Sequence, residues 1–318
     1  MRELTIQKND ADQRLDRFLG KAVPLLPASL AQKYIRLKRI KVNGARAERD
    51  YRLREGDRLQ LYLNDEFFEA PSEENVYLTI INPRLHIIYE DENIMLLDKP
   101  AGMVVHADEG EKVNTLVNHM LAYLYQKREW KPREENAFTP ALCNRIDRNT
   151  GGIVIAAKNA EALRVLNEKI RERELSKFYL CICLGRPEPP KGRIECFLRK
   201  DSKTNTVRVY HHPVPDGRSA VTLYETLETR DHLSLVEVEL LTGRTHQIRA
   251  SFADMGHPLL GDGKYGAGSV NRRYGETQQA LYSYRLRFDF PTDAGILNYL
   301  RGREFIADEV PFRRKYFG

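Results

Sequence analysis

An α+β fold in two modules, the larger built on a mixed, mostly antiparallel sheet, is what this sequence predicts, and three observations lead there. Short apolar runs bounded by Gly, Pro, Asn and Asp recur through most of the chain, as strands do. Stretches with helical spacing of apolar residues are few, and long polar excursions separate the strands. The regular strand–helix alternation that a doubly wound parallel sheet needs is absent. At 318 residues the chain exceeds one typical domain and allows two. Its hydrophobic content of 42% is enough to fill a core.

Several classes are excluded or disfavoured before any site is considered. No apolar run of about twenty residues occurs, and the first ten residues, MRELTIQKND, form no apolar signal region. A cytoplasmic location without membrane association is therefore expected. Cys143, Cys181, Cys183 and Cys196 lack CxxC spacing, which fits reduced thiols serving as small apolar residues. His211 and His212 have no third ligand at useful spacing, so no metal is expected. GxGxxG, Walker A and HExxH patterns are also missing, so no nucleotide cofactor is expected.

The N-terminal module, residues 1–70, starts with a helix predicted from Leu15, Phe18, Leu19 and Ala22, with Asp12 as its cap. Pro24 and Pro27 end it. A second helix, capped by Ser29, carries Leu30, Tyr34 and Leu37 inward and presents Lys33, Arg36, Lys38 and Arg39 outward. Ile40–Val42 reads as a strand, Asn43-Gly44 as a hairpin turn, and Arg58–Leu63 as a strand after the turn Arg54-Glu-Gly-Asp57. Between Ser29 and Gln60 there are ten Lys/Arg against four Asp/Glu, while the remaining 41 basic and 41 acidic residues balance. The whole excess of +6 therefore sits in one short segment, the electrostatic footprint of a polyanion partner. Residues 71–84 read as a linker, with prolines at 71 and 83.

The second module, residues 85–318, opens with strands at Leu85–Tyr89 and Ile94–Leu97, then a rigid turn at Lys99-Pro-Ala-Gly102 and a helix over Thr115–Leu124. Trp130, in the charged connection that follows, acquires no role. Next comes a polar knot, Arg145, Asp147, Arg148 and Asn149, between two apolar runs, with Gly151 and Gly152 letting the backbone turn or approach a ligand. A carboxylate fixed between arginines at a strand end is one recipe for a positioned nucleophile, and equally a description of a surface turn with a salt bridge. Asn159 caps a helix with Leu163, Leu166 and Ile170 on one face, and Leu180–Leu184 is a strand. Residues 199–218 read as a polar excursion near the ligand. Strands Ala220–Thr226 and Ser234–Leu241 deliver a second knot, Gly243-Arg-Thr-His-Gln-Ile-Arg249, with a helix starting near Thr245 and another strand starting at Gln279. Arg244, His246 and Arg249 could bind phosphate or satisfy the fold, and a buried arginine meeting a carboxylate from another loop would hold it in place.

Two resemblances organise these pieces. RLDRFL, the basic helix, Ile40-Lys-Val-Asn-Gly44 and Glu55-Gly-Asp-Arg-Leu59 together resemble the S4 RNA-binding domain. Lys99-Pro-x-Gly102 with His106, Arg145-Ile-Asp147-x-x-Thr150-x-Gly152 and Gly243 to Arg249 resemble the RluA-type RNA pseudouridine synthases, so the match covers almost the whole chain. The resemblance implies isomerisation of uridine in RNA: the N-glycosidic bond breaks, the base turns, and it rejoins through C5, with no cofactor. The family's nucleophile falls on Asp147, its aromatic partner on Tyr179 and the pairing arginine on Arg249. Arg145 matches a residue that enters the space left by a flipped base, and Ile248 could hold the base's other face. The chain departs from the family at Asn144 in place of His, at Arg148, at Gly151 before Gly152, and at Ala250-Ser251. Resemblance places the substrate in large-subunit ribosomal RNA, with transfer RNA as the alternative, and a monomer is expected. A non-catalytic RNA-binding factor and a glycoside hydrolase are the competing classes. The intact set of three argues against the first, and the single carboxylate of the central loop against the second.

Overall fold

The computed structural model describes residues 1–68, 72–132 and 134–318, and the chain forms two compact units. The first comprises Met1–Arg84, Val117–Ala141 and Ala157–Arg164, and the second comprises Leu85–Leu116, Leu142–Ala156 and Val165–Gly318.

In the first unit, β1 (Arg2–Thr5), α1 (Leu15–Ala22), α2 (Ala28–Arg36), β2 (Ile40–Val42), β3 (Ala45–Arg46) and β4 (Arg58–Leu61) build a small sheet in the order β1-β4-β2-β3 with two helices. Leu15, Phe18 and Leu19 of α1, Ala31 and Ile35 of α2, and Ile40, Val42, Leu59 and Leu61 of the strands close one apolar core. Asn43 and Gly44 both take positive φ, so the β2–β3 turn twists with its strands as a two-residue hairpin should. Buried Asp57 fixes the next turn by accepting hydrogen bonds from the Arg54 amide (2.8 Å), Asn43 Nδ2 (2.8 Å) and the Tyr51 hydroxyl (3.1 Å).

Three local expectations are corrected here. Asp12 is not the cap of α1; it sits at a φ of 63°, and Arg14 occupies the cap position without a side-chain hydrogen bond. Pro27, not Ser29, precedes α2. Lys38 and Arg39 lie beyond the helix, whose end at Arg36 is followed by Lys38 in the left-handed region. All four basic residues remain exposed, and Arg39 stacks over the Tyr34 ring at 5.2 Å. The stretch read as a linker contains a 3₁₀ helix at Ser72–Thr79, another precedes it at Asp65–Phe68, and Pro71 lies outside the described residues. The helix expected near Thr115 is α3 (Leu116–Gln126).

The second unit is organised on one large sheet. The remaining elements are β5 (Ile87–Glu90), β6 (Ile94–Lys99), β7 (Ala141–Leu142), β8 (Gly151–Ala157), α4 (Ala160–Arg171), β9 (Leu175–Leu184), β10 (Lys191–Asp201), β11 (Thr206–Tyr210), β12 (Arg218–Arg230), β13 (Leu233–Leu240), α5 (Gln247–Asp254), α6 (Gly268–Tyr274), β14 (Leu281–Phe288), β15 (Glu304–Ile306) and α7 (Pro311–Phe317), with Ala141, Ala157 and residues 160–164 counted in the first unit. Among the described residues the sheet has 11 strands, ordered β11-β10-β12-β13-β9-β14-β8-β6-β5, with β15 beside β14 and β7 beside β8. β14 runs parallel to β8, and the pairs on either flank of the sheet are antiparallel, the mixed arrangement expected. Asn159 does cap α4, accepting the Ala162 amide at 2.8 Å. Residues 199–218, read as a polar excursion, are partly strand. The end of β10, all of β11 and the start of β12 fall within it, because Val207, Val209 and Leu198 give them an apolar face packed with Ala220 and Ala250.

Gly151 and Gly152 are needed for packing rather than for freedom alone. A Cβ on Gly151 would meet the Tyr282 ring at 2.4 Å, and one on Gly152, at a φ of 108°, would meet the Ser283 carbonyl oxygen at 2.1 Å. The two glycines let β8 lie flush against β14 where the central loop ends. Gly152→Ala is expected to lower stability by at least about 3 kcal/mol. A fall in the urea midpoint checks this, and an unshifted midpoint would show that β14 yields easily.

Candidate active site

The central loop between β7 and β8 is held from three directions. Asn144 accepts the Ile155 amide at 2.8 Å, which ties the loop's entry to β8. Thr150 is buried and receives Gln279 Nε2 at 3.2 Å. Lys99, fully sealed, donates to the carbonyls of Pro100 (3.0 Å), Met103 (2.8 Å) and Arg148 (2.9 Å), and the Gly102 amide also reaches Arg148 O at 2.9 Å. The Lys99-Pro-Ala-Gly102 turn is thus a clasp on the backbone one residue after Asp147.

Burial pushes Lys99 down to about 7, against the charges of Asp147 and Asp98, which hold it up. The unfolded chain therefore binds a proton at Lys99 that the folded one does not, over the window from about 7 to 10.5. Stability of the wild type relative to Lys99→Met should rise with pH across that window. Paired denaturation curves would show it, and a flat difference would mean that the amine keeps its proton on folding.

The second knot supplies the counter-charge. Arg249, the third residue of α5, is 5% exposed. Its Nε and Nη2 form a fork on Asp262 (2.7 and 2.9 Å), and Nη1 donates to Asp147 Oδ2 at 2.7 Å. Asp262 is 0% exposed and also accepts the Lys264 and Tyr265 amides. Burial opposes its charge, but the Arg249 hydrogen bonds and these amides hold its carboxyl below the usual range. Burial likewise works against the Arg249 cation, and Asp262 and then Asp147 more than offset it, leaving its pKa raised. One guanidinium therefore joins a sealed carboxylate to one whose side chain is 28% exposed. The bidentate side fixes the fork, and the remaining donor aims Asp147.

Other neighbours complete the surroundings of Asp147. His246, in the left-handed region at the start of α5, places Nε2 3.7 Å from Asp147 Oδ2, while its Nδ1 lies 2.9 Å from the Tyr265 hydroxyl. Burial, then the nearby cations Arg249 and Lys264, lower its pKa despite Asp147, which favours the uncharged imidazole. Tyr265 receives the Val207 amide at 2.7 Å and lies 5.3 Å from the Arg249 guanidinium carbon, linking β11 to the site. Tyr179 is within β9, not ahead of it, and clusters with Ile248, Ile146 and Leu240. Burial, with a smaller push from Asp147, raises its phenol to about 12, although a hydrogen bond with Ser283 works the other way. The ring stays protonated at neutral pH.

Asp147, Arg249, His246, Tyr179 and Ile248 are thus drawn into one region. Arg145 stands exposed on the loop two residues before Asp147, and Arg244 is half-buried with Nε on the Ser219 carbonyl at 3.1 Å. Lys33, Arg36, Lys38 and Arg39 belong to the first unit. Sequence reasoning missed Asp262, Tyr265 and Gln247. Buried Gln247 accepts from Thr242 Oγ1 (2.9 Å) and the Arg244 amide (3.0 Å), and donates to Val221 O (3.1 Å) and Thr222 Oγ1 (2.9 Å). The available signal was an aspartate and a tyrosine inside the glycine-rich segment Gly261 to Gly266.

An arginine-aimed carboxylate and a protonated tyrosine thus share one region, in a chain that also carries a basic helix-and-strand unit. Residues 93–254 match the RNA pseudouridylate synthase family, and residues 13–59 match the S4 domain. Over 286 residues the chain is 32% identical to an uncharacterized RNA pseudouridine synthase of Mycoplasma genitalium, with 89% of this chain and 88% of that protein covered. It is 31% identical over 263 residues to ribosomal large subunit pseudouridine synthase C of Rickettsia felis, covering 80% and 81%. The solved structure of human RNA pseudouridylate synthase domain containing 1 has the same fold, with a TM-score of 0.54 at 20% identity, covering 78% of this chain and 96% of that one. The chain belongs to the RNA pseudouridylate synthase family and is an isomerase acting on RNA.

Proposed function

We propose that the enzyme isomerises uridines of large-subunit ribosomal RNA, with Asp147 as the nucleophile at a uridine turned out of its strand. The observation that carries this reading is the Arg249 fork, anchored on sealed Asp262 and presenting Asp147 with its carboxylate partly open. Asp262 cannot serve as a second acid or base, because both of its oxygens are engaged and buried. That leaves one reactive carboxylate, which fits nucleophilic attack better than paired-carboxylate hydrolysis.

In this reading a carboxylate oxygen of Asp147 attacks C1′ as the N1–C1′ bond breaks, and N1 takes the electron pair. The base turns, C5 bonds to C1′, and the carboxylate leaves. The proton lost from C5 is matched by one gained at N1, so the sum is an isomerisation. His246 and the Arg249 cation flank the carboxylate when its charge returns. The protonated phenol of Tyr179 offers a ring face and one proton to the base, and Ile248 backs this apolar wall. Turning the base out costs a few kcal/mol of stacking, which exposed Arg145 can offset by filling the vacated space.

The ribosomal assignment draws on the relative named for the large subunit and on the basic S4 unit. Mapping pseudouridine in ribosomal and transfer RNA from cells lacking the gene tests it. Sites lost only from transfer RNA would overturn it.

The exposed cations of the S4 unit are proposed to dock RNA backbone. Replacing Lys33, Arg36, Lys38 and Arg39 by Gln is the clean test, because the fold contacts of α2 remain. The slope of log affinity against log salt should flatten by up to about three. An unchanged slope would remove this face from the interface.

A further inference from the structure

β9 carries Tyr179 and, two residues earlier, Lys177. Side chains alternate along a strand, so both leave the same face. That face packs beneath α5, where Tyr179, Cys181 and Cys183 meet Ile248 and Phe252, while Leu180 and Ile182 point into a different core with Leu235. Lys177 continues the row past Tyr179, toward the strand's start, and is half-buried. Its direct neighbour on β14 is Leu286, and β13 reaches Leu240 just beyond the Glu239–Phe178 pair.

No counter-charge meets this lysine. The Lys177 side chain has no hydrogen-bond or ionic partner among the described residues, and desolvation is the one influence lowering its pKa. Other enclosed basic side chains of the unit are satisfied: Lys169 by Glu174, Arg285 by Glu237. A half-buried ammonium without a partner costs stability. Here that cost is placed next to the ring against which the target base is read to lie.

We propose that Lys177 binds a phosphodiester next to the target uridine, the RNA supplying the negative charge that the protein withholds. Two residue steps along the strand set its Cα roughly 6.6 Å from that of Tyr179, and the flexible stem extends its reach to the backbone of the nucleotide whose base lies on the ring. The proposal rests on the reading of Tyr179 as the base platform.

The test measures binding of in vitro transcribed large-subunit ribosomal RNA by Asp147→Asn protein, with and without Lys177→Met or Lys177→Arg, across a salt series. Lys177→Met should weaken binding about tenfold at low salt and flatten the salt slope by about 0.7–0.9, the value of one phosphate contact. Lys177→Arg should keep both near the parent. The melting temperature of Lys177→Met should hold or rise, because an unpartnered charge is replaced by an apolar stem of similar length. An unchanged slope, or a fall in melting temperature with equal loss of binding in Lys177→Arg, would overturn the proposal. Chemistry is removed from this comparison, so a wrong nucleophile assignment shows separately, as normal product formation by Asp147→Asn itself.

Discussion

Arg249→Ala is expected to cut turnover by about 10²–10³ while leaving RNA affinity within a fewfold, and to destabilise the protein by about 3–5 kcal/mol. The two effects have different origins. Stability falls because Asp262 stays behind as a sealed carboxylate that has lost its bidentate partner and keeps only two backbone amides. Turnover falls because Asp147 loses the donor at 2.7 Å that aims it, and His246 at 3.7 Å is too distant to replace it. Arg249→Lys should not rescue activity, since one ammonium cannot fork onto Asp262 and also reach Asp147. Pairing Arg249→Met with Asp262→Leu removes the stranded charge and should restore most of the stability but none of the rate. Stopped kinetics and denaturation on the same samples check both halves. Full turnover in Arg249→Ala would make this arginine a purely structural residue.

Asp147→Asn carries the other large expectation: isomerisation reduced by more than about 10³-fold with RNA binding retained. The amide keeps the shape of the carboxylate and can still accept from Arg249 Nη1, so the loop should stay in place on Lys99 and Asn144. It removes the charge that an attack at C1′ requires. Because the side chain is partly exposed and not a member of the packed core, the melting temperature should move little. Loss of fold in this variant would place Asp147 with Asp262 as a structural anion.

The elements that carry the site were legible because their signals are local and redundant. Apolar runs ending at Asp147 and Gly243, turn glycines and the spacing of α4 each agreed with the global fold. Asn159 read correctly as a cap for the same reason. Where one local cue stood alone it failed: Asp12 and Ser29 are good cap residues, but chain direction near Pro27 and the left-handed turn at Asp12 gave the cap positions to others. Residues 199–218 read as a polar excursion because their strands are short on apolar residues; the β10–β11 pairing and packing against Ala250, both non-local, make part of the stretch regular. Asp262 was invisible as a site residue for a similar reason. Its partner is 13 residues away, and nothing in a glycine-rich turn announces that its carboxylate is buried. The Arg249–Asp147 pairing came from family resemblance, and the chain's own spacing left it open. Geometry then added what resemblance did not contain, the sealed anchor behind the arginine and the Lys99 clasp behind the loop.

The most direct test is a single-turnover experiment with large-subunit ribosomal RNA saturated by enzyme, counting pseudouridine by mass spectrometry of the digested RNA. Wild-type protein is predicted to convert its sites within the first sampling times. Asp147→Asn, bound just as fully, is predicted to leave the uridines unchanged. Conversion by the bound variant at the wild-type rate would contradict the account, because the charge that Arg249 aims would then have no part in breaking the glycosidic bond.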